Sequence, residues 1–424
     1  MAIPVWIRRL TRLKTSISGQ IALFAIFHIL ILVIWFNFSR FDIRIHPDVE
    51  LYLGYADLIF KGSLPYRDFA VEYPPLAMLF LAIPRLFSSS LEGYANGFAF
   101  LMLFFDLAGL VFISRITLKL GLGHFRTLLM YTAAFWALGD IAINRFDVIP
   151  AIFLLAALYY FIERKHKICW LLVGLGALTK IYPLIIIPLL ALNYWHKRKY
   201  RTLLHSTATL ALIGLVCLVP FIIASPEGFW QFITFHSSRG LQLESTYAST
   251  LMLGQILGIA QVEVVMAPAS VEVTAAGWQW IASISYWLSL AGLLAVYYCY
   301  YVRIVRRGGS ETFGLIGYIL GAIVIMLITS KIFSTQFVIW LYPIVPVIVG
   351  RFRYPATITF ILIALLSSYI FPHHYTELVN LQQPAVGVLI IRNLLVFGLG
   401  IGAMIHRSVF YKRRLNASNA SAGA

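Results

Sequence analysis

Charge is scarce in this chain: 12% of its 424 residues are Asp, Glu, Lys or Arg, while 60% are hydrophobic. A soluble protein cannot cover its surface with so few charged side chains, so an integral membrane protein is the class that remains. Carboxylates are scarcer than cations, 17 against 33, giving a formal net charge of +16. An excess of that sign suits nucleic acid. Here, however, the basic residues come in short clusters between apolar runs, with no basic face and no aromatic RNA-binding pattern, so bilayer topology accounts for them and nucleic acid is not an expected partner. The only cysteines, Cys169, Cys217 and Cys299, are far apart in or beside hydrophobic runs, which excludes a disulfide framework and a thiolate metal site. A Walker A sequence, a Gly-rich dinucleotide fingerprint, a fixed-period repeat and a soluble domain are all missing.

What is present is a series of apolar runs. A crossing helix needs about 20 residues, and fewer inside a bundle. Spans are therefore predicted near 19–38, 97–114, 127–142, 147–162, 168–179, 181–194, 203–223, 279–301, 313–329, 337–350, 355–371 and 386–405, an all-α polytopic fold of about 12 transmembrane helices. The first run is too long for a signal-peptide core and lacks a small-residue cleavage site, so it is read as a retained helix. The run 76–88 is short and bounded by prolines and is expected to be an interfacial or re-entrant helix, as is 248–260. With the N-terminus inside, the inner segments collect clusters such as Arg8, Arg9, Arg12, Lys14, then Arg115, Lys119, Arg126, then Lys197, Arg198, Lys199, Arg201. That pattern satisfies the positive-inside rule and puts both termini in the cytoplasm of a cell membrane. Residues 1–414 form one membrane domain with a first outer loop at 39–96 and a second polar outer region at 224–278, while 415–424 is a small, polar tail expected to be disordered. The role of 261–276 is not legible.

The first outer loop organises the rest. The stretch from Phe41 to Pro75 carries Asp42, Asp48, Glu50, Asp57, Asp68 and Glu72, six of the 17 carboxylates. In HPDVELYLGYADLIF, Pro47 starts a helix of about Asp48 to Phe60, with Asp48, Tyr52 and Tyr55 on one side of it, along the membrane. As a local feature Asp48 reads as an N-cap; its place above a bundle with outward-facing cations makes it the candidate catalytic carboxylate. In VEYPPLAMLF, Glu72 reads as a polar anchor at a bend or a substrate contact, and Tyr73 as a headgroup-level aromatic.

The other ionisable groups on the predicted outer side are few, and such groups at membrane depth usually face a cavity and each other. In NRFDVIPA, Arg145 and Asp147 either pair with each other or leave Arg145 to reach a phosphate. Lys180, at the tip between two short apolar runs in GALTKIYPLIIIPLL, either snorkels to the interface or meets a phosphate at that depth. HSSRGLQLESTYAST brings His236, Arg239, Gln242 and Glu244, types that bind phosphate or sugar hydroxyls. KIFSTQFVIWLYP brings Lys331 and Gln336, with Trp340 and Tyr342 as belt aromatics or nothing further. A mixed-charge pocket opening outward is the predicted arrangement.

Taken together, HPDVELYLGYADLIFKGSLPYRDFAVEYPPLAMLF, the break at TKIYP, then SRGLQLES and K-x-F-S-x-Q-F-x-x-W-x-x-P resemble the multi-spanning GT-C glycosyltransferases. More narrowly, the chain is similar to glycosyltransferase family 87, polyprenyl-phosphate-mannose-dependent α-mannosyltransferases, over most of its length. The resemblance implies a base in the first extracytoplasmic loop, which by position is Asp48. Lys180, Arg239, Lys331 and Arg145 are then the donor phosphate contacts, and Glu72, Tyr73, His236, Gln242, Glu244 and Gln336 the substrate contacts. The implied partners are a polyprenyl-phosphate sugar donor, a lipid or glycan acceptor and membrane lipids. No cofactor is implied: the acidic pair that some relatives use for metal is imperfect around Asp48 and Glu50, and no divalent metal is expected. The reading that competes is a transporter or lipid flippase, for which many spans and buried charge are equally natural.

Overall fold

The computed structural model describes residues 16–38, 46–267, 270–307 and 311–405, with the side chains of residues 37, 38, 236 and 311 outside that set. The inner basic cluster at Arg8 to Lys14, residues 41–45 of the first loop and the tail 415–424 therefore lie outside the described residues.

The chain is a bundle of helices with one small sheet. Helix α1 spans Ile17–Phe38, α2 Pro47–Phe60, α3 Pro75–Ala82, α4 Leu91–Lys119 and α5 His124–Leu138. Then come α6 Val148–Ile162, α7 His166–Thr179, α8 Ile187–His196, α9 Tyr200–Ala224 and α10 Pro226–Ser238. The last group is α11 Thr246–Ile256, α12 Trp278–Tyr300, α13 Glu311–Thr329, α14 Arg353–Ser368 and α15 Gln383–Ile405. Seven of these are long and apolar enough to cross a membrane, and the protein is a multi-pass membrane protein. The other predicted spans are shorter. Helices α6 and α7 have 15 and 14 residues, and 181–194 and 337–350 are broken into 3-10 turns before or around prolines. Their burial explains how short pieces suffice: α6 is apolar on nearly every side and packs against α4 and α7.

A buried polar network joins four of the segments. His28 of α1 contacts the Asp106 carboxylate of α4 through Nδ1 and Thr132 of α5 through Nε2 at 2.8 Å. The Asp106 carboxylate also accepts from the hydroxyls of Tyr131, at 2.8 Å, and Tyr342, at 3.2 Å. Tyr342 is thereby fixed in the interior and is not a belt aromatic. Its neighbour Trp340 is buried as well.

The unread stretch 261–276 forms a sheet, which qualifies the all-α expectation. Strand β1 is Leu241–Gln242, β2 Val262–Ala267 and β3 Ser270–Ala275, in the antiparallel order β1-β3-β2. Its inward residue Val273 packs with Leu243, Met252, Ile370 and Leu389 in a second, smaller core over the ends of α11 and α15.

The first outer loop is held down more firmly than an interfacial strand of chain would be. Tyr52 and Tyr55 of α2 point into the protein, against Phe98, Phe69 and Tyr73, and not along a membrane surface. Further on, Tyr66 sits among Phe221, Phe229 and Phe232, so the first loop and α10 act as one unit. That contact requires glycine at 228, where a Cβ would lie 1.7 Å from the Tyr66 carbonyl oxygen. Gly228→Ala should lower the thermal unfolding midpoint in detergent by the equivalent of about 1–3 kcal/mol, the range for overpacking. Gly54→Ala, whose Cβ meets nothing within 4 Å, should be neutral or stabilise by up to about 1 kcal/mol. Equal midpoints for the two variants would mean that the loops do not meet at Gly228.

Candidate active site

Helix breaks build the site. A polar side chain cannot leave a lipid-facing helix cheaply, but it can at an end, where the chain turns and free backbone groups already need partners. Several such breaks converge: the start of α2, the turn between α5 and α6, the turn after α7, the segments on either side of β1, and the segment before the 3-10 turns at Thr335–Trp340. Between them lies one cavity of about 870 Å³. Asp48, Glu72, Tyr73, Arg145, Lys180 and Arg239 line it, as do Gln242, Glu244, Lys331 and Gln336. The side chain of His236 lies outside the described residues.

Asp48 is not the N-cap of its helix. That position belongs to His46, whose Nδ1 accepts the Asp48 N–H at 3.2 Å, with Pro47 as the first helical residue. The Asp48 carboxylate is left for the cavity, where Arg145 Nη1 contacts its Oδ2 and His46 Nδ1 lies 3.5 Å away. Arg145 thus pairs with the distant Asp48 instead of its neighbour Asp147. It lies over the Phe371 ring at 5.5 Å, and burial brings its pKa down to about 10.

Lys180 takes the other carboxylate. Its Nζ donates to Asp147 Oδ1 at 2.6 Å, and the same oxygen accepts the Trp340 indole N–H at 2.6 Å. The ammonium also faces the rings of Phe146 at 4.9 Å, Phe337 at 5.0 Å and Trp340 at 5.6 Å. Tyr182 stacks on Trp340 with centroids 4.1 Å apart. Lys180 is therefore caged and oriented, and does not snorkel. Phe146, between Arg145 and Asp147, serves both pairs and also meets Tyr73 at 4.8 Å, so Tyr73 belongs to this aromatic frame and not to a headgroup belt.

The remaining groups sit on the far wall. Glu244 receives Thr335 Oγ1 and, at 3.3 Å, Arg392 Nη2 from within α15. Arg392 is fully buried and stacks over Phe333 at 4.3 Å. Lys331 Nζ donates to the carbonyls of Ser237, at 2.9 Å, and Arg239, which pins the loop after α10. Gln242 donates its N–H to the Lys331 carbonyl at 3.0 Å, and its buried Oε1 has no hydrogen-bond partner among the described residues. Gln336 accepts from Ser334 at 3.1 Å. Glu72 is half-buried, and burial raises its pKa against the pull of Arg239 and Lys180. Among the described residues no group of three or more His, Cys, Asp or Glu is arranged to hold a metal ion.

Comparison with known proteins supplies the class of chemistry. The family model for glycosyltransferase family 87 matches residues 71–330. The chain belongs to that family. It is a membrane glycosyltransferase, and this settles the sequence reading against the transporter. The crystal structure of ArnT from Cupriavidus metallidurans in the apo state is similar at a TM-score of 0.49 and 12% identity, over 91% of this chain and 78% of that one. No curated protein sequence matches. For a family 87 enzyme the sequence left several groups of this site unassigned: His46, Phe146, Thr335, Phe371, Tyr375 and Arg392. Only Arg392 carried a readable signal, as a cation inside an apolar span.

The cap generates a prediction. Burial, aided by the Arg145 charge, holds the His46 imidazole down to about 3, against 6.5 ordinarily. Between those values the unfolded chain binds a proton that the folded chain does not, so stability is lost as pH falls from about 6.5 towards 3. His46→Asn keeps a capping side chain and should flatten the pH dependence of the melting midpoint, by at most about 1.4 kcal/mol per pH unit for one proton. An unchanged slope would mean that His46 is not held neutral.

Proposed function

We propose that this enzyme transfers mannose from a polyprenyl-phosphate donor to a lipid or glycan acceptor on the extracytoplasmic side of the cell membrane, with inversion at the anomeric carbon. The observation that carries the reading is the shared lining of one cavity: Asp48 at the start of α2, in contact with Arg145, together with Lys180, Arg239 after α10 and Lys331 after α13. Asp48 acts as general base. It takes the proton from the acceptor hydroxyl while that oxygen attacks the sugar, and the polyprenyl phosphate departs. Lys180, Arg239, Lys331 and Arg145 stabilise the charge that grows on the phosphate, the kind of preorganised electrostatics that a water-poor site makes strong.

Glu72, Tyr73, Gln242, Glu244 and Gln336 hold the sugar and the acceptor. The Gln242 Oε1, buried in the lining without a partner among the described residues, is suited to a sugar hydroxyl. The apolar remainder of the lining, including Ile181, Leu184, Ile185, Tyr286 and Met326, suits an isoprenoid chain. The basic clusters of the inner loops support an inner location for both termini and an outer one for the cavity. Transfer needs no divalent metal.

Purified protein with radiolabelled polyprenyl-phosphate mannose and membrane lipid extract tests this directly. Transfer should occur in EDTA and not with a nucleotide sugar. Asp48→Ala should lose about 10²–10⁴-fold in kcat, the usual range for a general base. Lys180→Met should raise the donor KM by about tenfold or more, the loss of one charge-assisted phosphate contact. Full transfer by Asp48→Ala would remove the base assignment, and transfer only from a nucleotide sugar would remove the donor.

A further inference from the structure

Three carboxylates in and beside the cavity each hold a cation. Asp48 is matched with Arg145, Asp147 with Lys180 and Glu244 with Arg392. Lys331 is tied to backbone carbonyls. This arrangement matters because transfer redistributes charge without changing its total. The acceptor oxygen forms a bond to the anomeric carbon, the bond from that carbon to the phosphate oxygen breaks, and its electron pair leaves with the phosphate. The phosphodiester, with one negative charge, becomes a monoester with two. The acceptor proton passes to Asp48, which goes from one negative charge to none.

We propose that Arg145 couples these two halves of the reaction: it balances the Asp48 carboxylate before transfer and the phosphate afterwards. Once Asp48 holds the proton, Arg145 has lost its counter-charge. The carboxylates next nearest to it, Asp147 and Glu244, already hold Lys180 and Arg392. Its other titratable neighbours include the Lys180 ammonium, Tyr375 and the neutral His46. The guanidinium charge is then uncompensated as the phosphate gains its second charge, so the attraction between them grows on the way from the ground state to the transition state. Binding gained in that step raises kcat and leaves substrate affinity alone. Arg145 also acts on Asp48 directly, since an adjacent cation favours the ionised carboxylate that a base must be. Its position suits both tasks: it stands at an extended residue between two helices, in the cavity lining, with Phe371 beneath its plane.

The inference rests on Asp48 being the base and adds a kinetic signature to that reading. Arg145→Gln should lower kcat by about 10²-fold, the cost of one preorganised charge contact, with donor KM changed by no more than about threefold. Its acid limb in the pH dependence of kcat should move upward, because Asp48 has lost its cation. Arg145→Lys, which keeps the charge, should retain most of kcat and leave the limb in place. If Arg145→Gln does not fold, Arg145→Lys decides alone: a raised donor KM with unchanged kcat overturns the proposal. For Arg145→Gln itself, an unmoved acid limb, or a loss expressed in KM only, does the same. Asp48→Ala assayed in parallel separates the failures. Activity in that variant sinks the base reading, whereas an inactive Asp48→Ala with a normal kcat in Arg145→Gln sinks the coupling alone.

Discussion

A carboxylate removed from water needs a cation at contact distance, and the cavity end of this molecule is arranged around that requirement. Leaving one partner of a buried pair alone costs about 3–5 kcal/mol, a large part of the stability of any domain. Asp147 is fully buried, Glu244 nearly so, and each is met by one cation: Lys180 from the turn after α7, Arg392 from within α15. Asp48 and Arg145 follow the same rule with more exposure. The pairs are tethers as well as charges, because each joins segments far apart in the chain. They bring the short helices and loops around the cavity to one place.

Aromatic rings do the rest of the positioning. Phe146 sits between the two residues that begin these pairs, and Trp340 both stacks on Tyr182 and donates to Asp147. Rings bring area and stiffness with few rotatable bonds, and they keep the dielectric low around the charges they flank. The tie from Tyr342 to Asp106 extends the frame downward, linking the segment that carries Trp340 to the His28 network. Loss of a ring here would loosen the aim of a charged group as well as the packing.

The parts legible in the sequence were those fixed by local pattern. Apolar runs mark the helices because each turn must satisfy lipid or protein on every side, and Pro47 marks the start of α2 because its ring fixes a helical φ and needs no donor. Scarcity made the site legible too: in a chain this apolar, polar residues on the outer side had few places to go, and the cavity collects nearly all that were singled out. Partner choice was hidden. Asp48 and Arg145 are as far apart in sequence as many whole domains are long, and nothing local says that Arg145 prefers Asp48 to Asp147. Capping was hidden for a related reason, since His46 supplies the cap by accepting the Asp48 N–H, which leaves the Asp48 carboxylate out of that role. The hairpin escaped because β2 and β3 are short and rest on a core made by distant helices. Belt aromatics and interior ones share a composition, so Trp340 and Tyr342 could be told apart only by the carboxylates they reach.

The cavity has a side as well as a mouth. Ile181, Leu184 and Tyr286 line it and are well exposed, so part of its wall is an accessible apolar surface. The lipid-borne donor proposed above would meet that surface on entering and its spent carrier would leave along it. For such a donor encounter would be a two-dimensional search, with turnover following the mole fraction of carrier in the leaflet instead of its concentration in bulk.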